Sequence, residues 1–228
     1  MDPLLFVPVV VVDIARAVGM TPLSRAIALR LGVVDKPNQR KIHTDHKPLM
    51  GGLAIFAGFA LALILFVLPD SLGDLSAMLI GAALLAVVGL IDDRYELGIR
   101  AKLVAQVIAA SILIAGGIQI QLFNTPLLDY PLTVLWVVTI TNAVNFLDNM
   151  DGLSAGLSAI AGLYFTFLAY NEGLSLVAAL AAAMAGSAIG FLIYNFNPAS
   201  TFMGDMGRWC WGSCWRCWAS SCASDRSH

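Results

Sequence analysis

Long apolar runs make up most of the chain, and short segments between them carry most of the charged and polar residues. A helix that crosses a bilayer needs about 20 mostly apolar residues. The pattern therefore predicts an all-α, polytopic integral membrane protein with about seven transmembrane helices, at residues 3–20, 52–69, 76–91, 103–121, 132–147, 153–170 and 174–194. The first is the weakest candidate because it contains Asp13 and Arg16, whose spacing lets them pair on one helix face.

Composition supports this interpretation. The 228 residues are 59% hydrophobic and only 12% charged, whereas a soluble domain has about 25% charged residues. The mean hydropathy is +0.81. A net charge of −2 without a Lys/Arg-rich block gives no basis for binding nucleic acid, which we do not expect as a partner. Since the segments between spans are short, we predict one multi-span domain over residues 1–207.

The distribution of basic residues predicts the orientation in the membrane. Lys and Arg in short loops stay on the cytoplasmic side. Segments 21–51 and 92–102 contain Lys and Arg, whereas the segments around Asp74, Asp129 and Glu172 contain acidic residues and neither Lys nor Arg. We therefore expect four segments to share the cytoplasmic face: 21–51, 92–102, 148–152 and 195–208.

Those four segments carry the polar motifs of the chain, which are "DKPNQRKIHTDHKPLMGG" (35–52), "GLIDDR" (89–94), "NAVNFLDNMDG" (142–152) and "NFNPASTFMGDMG" (195–207). They bring five carboxylates to the ends of different helices: Asp92, Asp93, Asp148, Asp151 and Asp205. Such carboxylates repel one another unless a cation neutralises them, and hard oxygen ligands favour Mg²⁺, which also binds substrate phosphates. The pattern predicts a phosphoryl-transfer site, with Mn²⁺ as the alternative metal.

Basic, amide and glycine residues complete the expected site. A diphosphate could be neutralised by Lys36, Arg40, Lys41, Lys47 and Lys102. Asn145 could hydrogen-bond a sugar or a base. The glycines at 51, 52 and 204 would permit either close backbone approach to a phosphate or, equally, tight helix packing.

Each motif also has a structural explanation. The Asp92-Asp93 pair could mark a solvated helix end, the acids at 148 and 151 could favour the start of the next helix, and Asn142 and Asn145 could bond neighbouring helices. The basic residues of the first loop could serve only as topology anchors. His43 and His46 are better explained as solvated loop residues than as metal ligands.

A function of a different class is an ion-coupled transporter that uses intramembrane carboxylates. Such a protein places its polar groups near the middle of the bilayer. Here the polar motifs crowd at one predicted surface instead, which disfavours a transporter.

The four motifs, in this order, resemble those of the polyprenyl-phosphate N-acetylhexosamine-1-phosphate transferases of glycosyltransferase family 4 type. The resemblance rests on "VDKPNQRKIH", "GLIDDR", "NAVNFLDNMDGL" and "FMGDMG" and covers residues 25–207. The first motif is more similar to the branch that transfers N-acetylglucosamine 1-phosphate from UDP-N-acetylglucosamine to undecaprenyl phosphate than to the phospho-N-acetylmuramoyl-pentapeptide branch, which stays an alternative. The resemblance implies release of UMP at the cytoplasmic face of the bacterial inner membrane, in the first membrane step of cell-surface polysaccharide or cell-wall polymer assembly.

The resemblance also implies residue roles. The metal ligands would be Asp205, Asp92 and Asp93. The catalytic residues would be Asp92 and Asp93, through contact with the metal or the lipid phosphate. The nucleotide sugar would contact Asn145, Asp148, Asp151, Asn195, Lys102 and Lys41.

Two departures from the family pattern stand out. Asn149 takes the place of the family's glycine after Asp148, and the family continues beyond "GD.GS" with further spans and a histidine-rich loop that these 228 residues do not contain. A non-catalytic fragment is therefore a further alternative.

The tail at residues 208–228 holds every cysteine and four of the five tryptophans. A metal cluster does not fit the cysteine spacing, although an aromatic membrane anchor would suit the tryptophans. Trp is encoded only by TGG, and with TGC for Cys the run from Trp209 to Trp218, read one base earlier, gives Leu, Val, Gly, Phe and Ala codons. Loss of one T from GGC-TCG-CTG-GTG turns Gly-Ser-Leu-Val into Gly-Arg-Trp. We therefore predict that the tail is a frameshift product.

Overall fold

The computed structural model describes residues 6–35, 47–66 and 72–209, which are mostly helical. Within these ranges, seven long α-helices follow one another: α1 (Val7–Leu31), α2 (Gly51–Phe66), α3 (Leu72–Tyr95), α4 (Ile99–Ala115), α5 (Pro126–Leu147), α6 (Leu153–Asn171) and α7 (Ser175–Asn195). A short helical segment at 204–209 follows. Two strands, β1 (Val34–Asp35) and β2 (Lys47–Pro48), pair antiparallel. This ladder, absent from the all-α prediction, satisfies backbone hydrogen-bonding groups of the two strands themselves.

Each predicted span overlaps one long helix, but fewer helices have the length and composition to cross a bilayer. Among the described residues, four do: α1, α5, α6 and, over Val177–Asn195, α7. With 16 and 17 residues, α2 and α4 are about 24–26 Å long, short of the roughly 30 Å hydrocarbon core. Helix α3 carries acidic residues near both ends. The chain is a membrane protein, and the predicted count of about seven crossings is not confirmed.

The first helix differs from the predicted span at 3–20, since it continues to Leu31. Hydropathy detects only the stretch that suits lipid, whereas main-chain hydrogen bonding continues through the polar residues that follow. Gly32 caps the helix, and its φ of 70° is the left-handed conformation common after a helix. The first part of the segment predicted as a cytoplasmic loop is therefore helical.

Helix α7 lies at the centre of the packing, against α1, α2 and α6. Most of its buried positions hold small residues, among them Ala178, Ala179, Ala182, Ala183, Ala185 and Ala188. At Gly186 and Gly190 the main chain of α1 lies too close for a side chain to fit. Small residues let helix backbones approach closely where both neighbours are apolar. Beside this group, α3 packs on α4 and α4 on α5.

A buried ion pair joins α1 to α2 and α7. Arg16 Nε donates to Asp13 Oδ1 at 2.8 Å, which confirms the pairing predicted from their spacing. The same guanidinium donates to the Ala54 carbonyl at 2.5 Å and to Ser187 Oγ at 2.6 Å. Buried polar groups are tolerated when they are hydrogen-bonded. This pair therefore has a structural role.

One end of the helix group brings together the segments that carry the polar motifs. At the start of α2, the Gly52 N–H donates to the Met203 carbonyl at 2.8 Å. At the end of α3, Arg94 Nη1 donates to the Leu31 carbonyl at 3.1 Å. The ends of α1 and α3, the start of α2 and the segment around 203 therefore adjoin one another, and this end of the molecule holds the candidate site.

Candidate active site

The ends of α3 and α4 place Asp92 and Lys102 against Asp205. Asp92 is only 3% exposed. Its Oδ1 accepts the Leu97 N–H at 2.7 Å, which holds the turn between the two helices, and its Oδ2 forms an ion pair with Lys102 Nζ. Lys102 Nζ also donates to Asp205 Oδ2 at 3.3 Å. One ammonium group thus lies between two buried carboxylates.

Asp93, the other acid of "GLIDDR", faces the start of the last helical segment. Its Oδ1 accepts the Asp205 N–H at 2.7 Å and its Oδ2 accepts the Met206 N–H at 3.3 Å. The first N–H groups of a helix have no partner within the helix, and a carboxylate there satisfies them. Gly204 begins this segment with a φ of 74°, and a side chain at that position would collide with the Leu49 carbonyl.

A second basic side chain, Arg208, lies on the other side of Asp205. Its Nε donates to Asp148 Oδ2 at 2.6 Å. Its Nη1 donates to Asn145 Oδ1 at 2.8 Å and to Asp205 Oδ1 at 2.7 Å. Asp148 follows the last residue of α5 and Asn145 lies in its last turn. Arg208 therefore joins the end of α5 to the last helical segment.

The edge of the site is formed where α6 begins and α7 ends. Asn195 Oδ1 accepts the Gly152 N–H at 3.2 Å, and its Nδ2 donates to the Thr201 carbonyl at 3.2 Å. Asp151 Oδ2 accepts the Ala199 N–H at 2.9 Å. Asn195 and Asp151 thus hold the backbone around 195–201 against the start of α6.

Burial and neighbouring charge shift the pKa of the acids of "GLIDDR" upward. Burial is the main cause that raises the pKa of Asp92 to about 6; Asp205 raises it further, and Lys102 acts against both. Burial, and then the charge of Asp205, raise the pKa of Asp93 to about 8, against its backbone hydrogen bonds and the charge of Arg208.

The pKa values of Asp148 and Asp205 are shifted in opposite directions. Burial raises the pKa of Asp148 more than Arg208 lowers it. Burial also acts to raise the pKa of Asp205, but hydrogen bonding with Asp92 and the charges of Arg208 and Lys102 outweigh it, so that the pKa is lowered. Among Asp92, Asp93, Asp148 and Asp205, Asp205 is thus the only one whose pKa is lowered, which favours its ionised form.

The structure brings most of the predicted site residues together. Asp92, Asp93, Lys102, Asn145, Asp148 and Asp205 form one contact network, with Asn195 and Asp151 at its edge. Lys41, with Lys36, Arg40, His43 and His46, lies outside the described residues. Lys47 is among the described residues, and its ammonium lies 5.0 Å from the centre of the Phe202 ring.

Asn142 and Gly52 have structural roles in the packing of the helices. Asn142 Nδ2 donates to Gln106 Oε1 at 2.8 Å and so bonds a neighbouring helix. A side chain at Gly52 would overlap the backbone of Gly207, so this glycine serves helix packing. By contrast, neither acid of "DNMD" caps α6: its N-cap residue is Gly152, and it has no side-chain cap.

The sequence does not predict Arg208 as a site residue, because residues 208–228 are predicted to be an aberrant tail. Arg208 stands three positions after Asp205, a spacing that pairs side chains on a helix. That spacing was the signal available in the sequence.

The donor chemistry of the cluster suits a divalent cation, but its arrangement does not. Asp92, Asp148 and Asp205 supply the hard oxygens that Mg²⁺ prefers. Within residues 6–35, 47–66 and 72–209, however, no group of three or more His, Cys, Asp or Glu residues is placed to hold a metal ion. The carboxylates converge instead on Lys102 and Arg208.

Comparison with known proteins places this site in a family. The model of glycosyl transferase family 4 matches residues 75–221, which include the whole cluster from Asp92 to Arg208. The chain belongs to glycosyl transferase family 4.

Several named proteins are similar to the chain over most of its length. A Bacillus subtilis protein named "Probable undecaprenyl-phosphate N-acetylglucosaminyl 1-phosphate transferase" is 37% identical over 86% of this chain and 57% of its own. A Mycolicibacterium smegmatis decaprenyl-phosphate N-acetylglucosaminephosphotransferase is 34% identical over 80% of this chain and 52% of its own. A Heliobacterium modesticaldum phospho-N-acetylmuramoyl-pentapeptide-transferase is 36% identical over 75% of this chain and 59% of its own. The glycosyl transferase family 4 chain described here thus spans little more than half the length of these relatives.

Proposed function

We propose that the chain transfers N-acetylglucosamine 1-phosphate from UDP-N-acetylglucosamine to undecaprenyl phosphate and releases UMP. The observation that carries this proposal is the network of carboxylates and cations at the adjoining ends of α3, α4 and α5 and the segment 204–209. The name of the Bacillus subtilis relative supports this sugar and this lipid.

The reaction exchanges one phosphorus–oxygen bond for another. An oxygen of the lipid phosphate attacks the β-phosphorus of the nucleotide sugar, and UMP leaves with the bridging oxygen and the electron pair of the broken bond. Negative charge spreads over the phosphoryl oxygens, so positive groups held in place beforehand stabilise the transition state. Lys102 is suited to this role because its side chain is 25% exposed while its ammonium is held by Asp92 and Asp205.

The other predicted residues divide into two groups. Asp93 and Asn195 bond backbone groups and act as positioning residues for the segments at 204–209 and 195–201. Asn145, Asp148 and Asp151 are proposed contacts of the nucleotide sugar, as is Lys41. Asp205 adjoins both cations and is the carboxylate whose loss should affect transfer most.

The setting follows from the same proposal. The distribution of basic residues supports a site on the cytoplasmic face of the bacterial inner membrane, where a cytoplasmic nucleotide sugar would meet a membrane-embedded lipid phosphate. Mg²⁺, with Mn²⁺ as substitute, stays the cofactor predicted from the resemblance. The phospho-N-acetylmuramoyl-pentapeptide reaction is the second candidate, supported by the similarity to the Heliobacterium modesticaldum relative.

The test is UMP release from membranes that contain the full chain, supplied with undecaprenyl phosphate, Mg²⁺ and labelled UDP-N-acetylglucosamine. The wild-type chain, Arg208→Ser and Asp205→Asn are compared, with UDP-N-acetylmuramoyl-pentapeptide as the competing donor. We expect UMP and labelled lipid in at least one of the first two forms, only when lipid is added, and neither product with Asp205→Asn. Absence of UMP from both the wild type and Arg208→Ser with either donor would contradict a transferase function and favour a transporter or an inactive chain.

A further inference from the structure

The guanidinium of Arg208 is surrounded by oxygen atoms of the candidate site. Within 2.6–2.8 Å of its nitrogen atoms lie one oxygen each of Asp148, Asn145 and Asp205. The Asp148 side chain is 3% exposed and that of Asp205 11%. These oxygens are hard donors of the kind that bind divalent cations, and here a protein cation holds them.

We propose that Arg208 is a built-in cation that closes this site, by occupying the space in which Asp148 and Asp205 would otherwise receive a divalent cation. A guanidinium is always charged and carries several donors in a planar fork, so it can bond several acceptors at once. Lys102 cannot replace it there, because its ammonium contacts Asp92 and Asp205 but makes no contact with Asp148 among the described ion pairs.

The position of Arg208 is held from both sides. Asp93 accepts the backbone N–H groups of Asp205 and Met206, which fixes the start of the short helical segment. The neighbouring Trp209 is fully buried in an apolar cluster with Leu85, Ala105 and Ala109. The backbone on both sides of position 208 is therefore fixed, which keeps the Arg208 side chain beside Asp148 and Asp205.

The inference rests on the proposed function only in taking the network as the donor site of the reaction. It predicts that the wild-type chain binds a divalent cation weakly and that removal of the guanidinium uncovers the carboxylates. Cation binding can be measured without nucleotide or lipid. Failure of this inference is therefore distinguishable from failure of the transferase proposal, because UMP release tests the latter.

The experiment is a Mn²⁺ titration of the detergent-purified full chain, followed by the electron paramagnetic resonance signal of free Mn²⁺. Wild type is compared with Arg208→Ser and Arg208→Gln. Arg100→Ser is the matched control, because Arg100 is an exposed cation at the same end of the molecule. We expect both Arg208 variants to bind Mn²⁺ at least about tenfold more tightly than wild type, since neighbours of a metal site change affinity by about 10–100-fold. Arg100→Ser should match wild type, and adding Asp205→Asn should abolish the gain.

Two results would overturn the proposal. One is wild-type binding as tight as that of the folded Arg208 variants. The other is tight wild-type binding that disappears in Asp205→Asn, which decides against the proposal even if neither Arg208 variant folds. If the variants do not fold and the wild type shows no such binding, Mn²⁺ titration of Arg208→Lys decides: its shorter side chain bears one ammonium, so intermediate affinity is expected, and affinity equal to wild type counts against the proposal.

Discussion

Asp93 Oδ1 accepts the backbone N–H of Asp205 at 2.7 Å, although 112 positions separate the two residues. Together with the Met206 N–H bond, this contact ties the end of α3 to the segment that carries Asp205 and Arg208. One acid of "GLIDDR" thus sets the position of the acid of "FMGDMG".

The first prediction concerns this contact. Asp93→Ala removes both acceptors, so we expect it to lower the free energy of unfolding by about 1–2 kcal/mol, as loss of a helix cap does. In the Arg208→Ser background, where the cluster is open, it should also abolish UMP release. Asp93→Asn should recover part of the stability, because its amide oxygen still accepts one N–H. Thermal unfolding in detergent measures both. The control is Glu172→Ala, an exposed acid after α6; equal stability of Asp93→Ala and this control would refute the capping role.

The second prediction concerns Lys102, whose ammonium lies between Asp92 and Asp205. In the Arg208→Ser background, where the cluster is open, Lys102→Met should lower UMP release by about 10²-fold, as loss of one preorganised electrostatic group does. The KM for UDP-N-acetylglucosamine should rise, because a cation facing the diphosphate is lost. Arg100→Met, which removes an exposed cation from the same helix, should have little effect. If both variants behave alike, Lys102 acts only through total charge.

The sequence predicted which segments meet more successfully than it predicted which side chains bond. Spans separated by short segments allow few arrangements, so the motifs around Asp92, Asp148 and Asp205 had to adjoin if they shared a face. The choice of partner for each carboxylate depends on distances between helices far apart in the chain, and no periodicity encodes it. Arg208 bonds Asp148 across 60 positions for this reason. The sequence did not predict that α1 continues to Leu31, because charged residues can lie in a helix that extends beyond the bilayer.

The third prediction concerns the packing of α7 on α1. A Cβ at Gly190 would lie 2.7 Å from both Ala17 Cβ and the Ile14 carbonyl oxygen. Gly190→Ala should therefore force the helices apart and lower the free energy of unfolding by about 1–3 kcal/mol. Gly156→Ala is the matched control, since a Cβ there meets nothing within 4 Å; it should be neutral or gain up to about 1 kcal/mol from helix propensity. Equal behaviour of the two variants in thermal unfolding would contradict the close packing.

The fourth prediction concerns orientation in the membrane. A reporter fused after Lys47 or after Arg100 should lie in the cytoplasm, because these segments carry the basic residues. Fusions after Asp74 or Glu172 should lie outside. The measurement is the activity of paired reporters that work on only one side of the membrane. An external signal at Lys47 would reverse the topology and remove the site from the compartment that supplies nucleotide sugars.

The last prediction concerns the origin of Arg208 and the tail. A one-base deletion accounts for Gly-Arg-Trp in place of Gly-Ser-Leu, and position 209 suits this change because it lies in an apolar cluster that Leu or Trp could occupy. At position 208 the change alters the site. Serine is short and carries no charge, so it cannot hold Asp148 and Asp205 as the guanidinium does.

We therefore expect resequencing of the gene across codons 200 to 230 to show an apolar reading frame one base away that continues beyond "GDMG". Restoring that frame should replace Arg208 with serine and open the cluster, so that UMP release rises together with Mn²⁺ affinity. A gene without such a frame would contradict the prediction. Detection of the Trp- and Cys-rich segment by mass spectrometry in a fully active enzyme would do so as well, because the closing cation would then coexist with full activity.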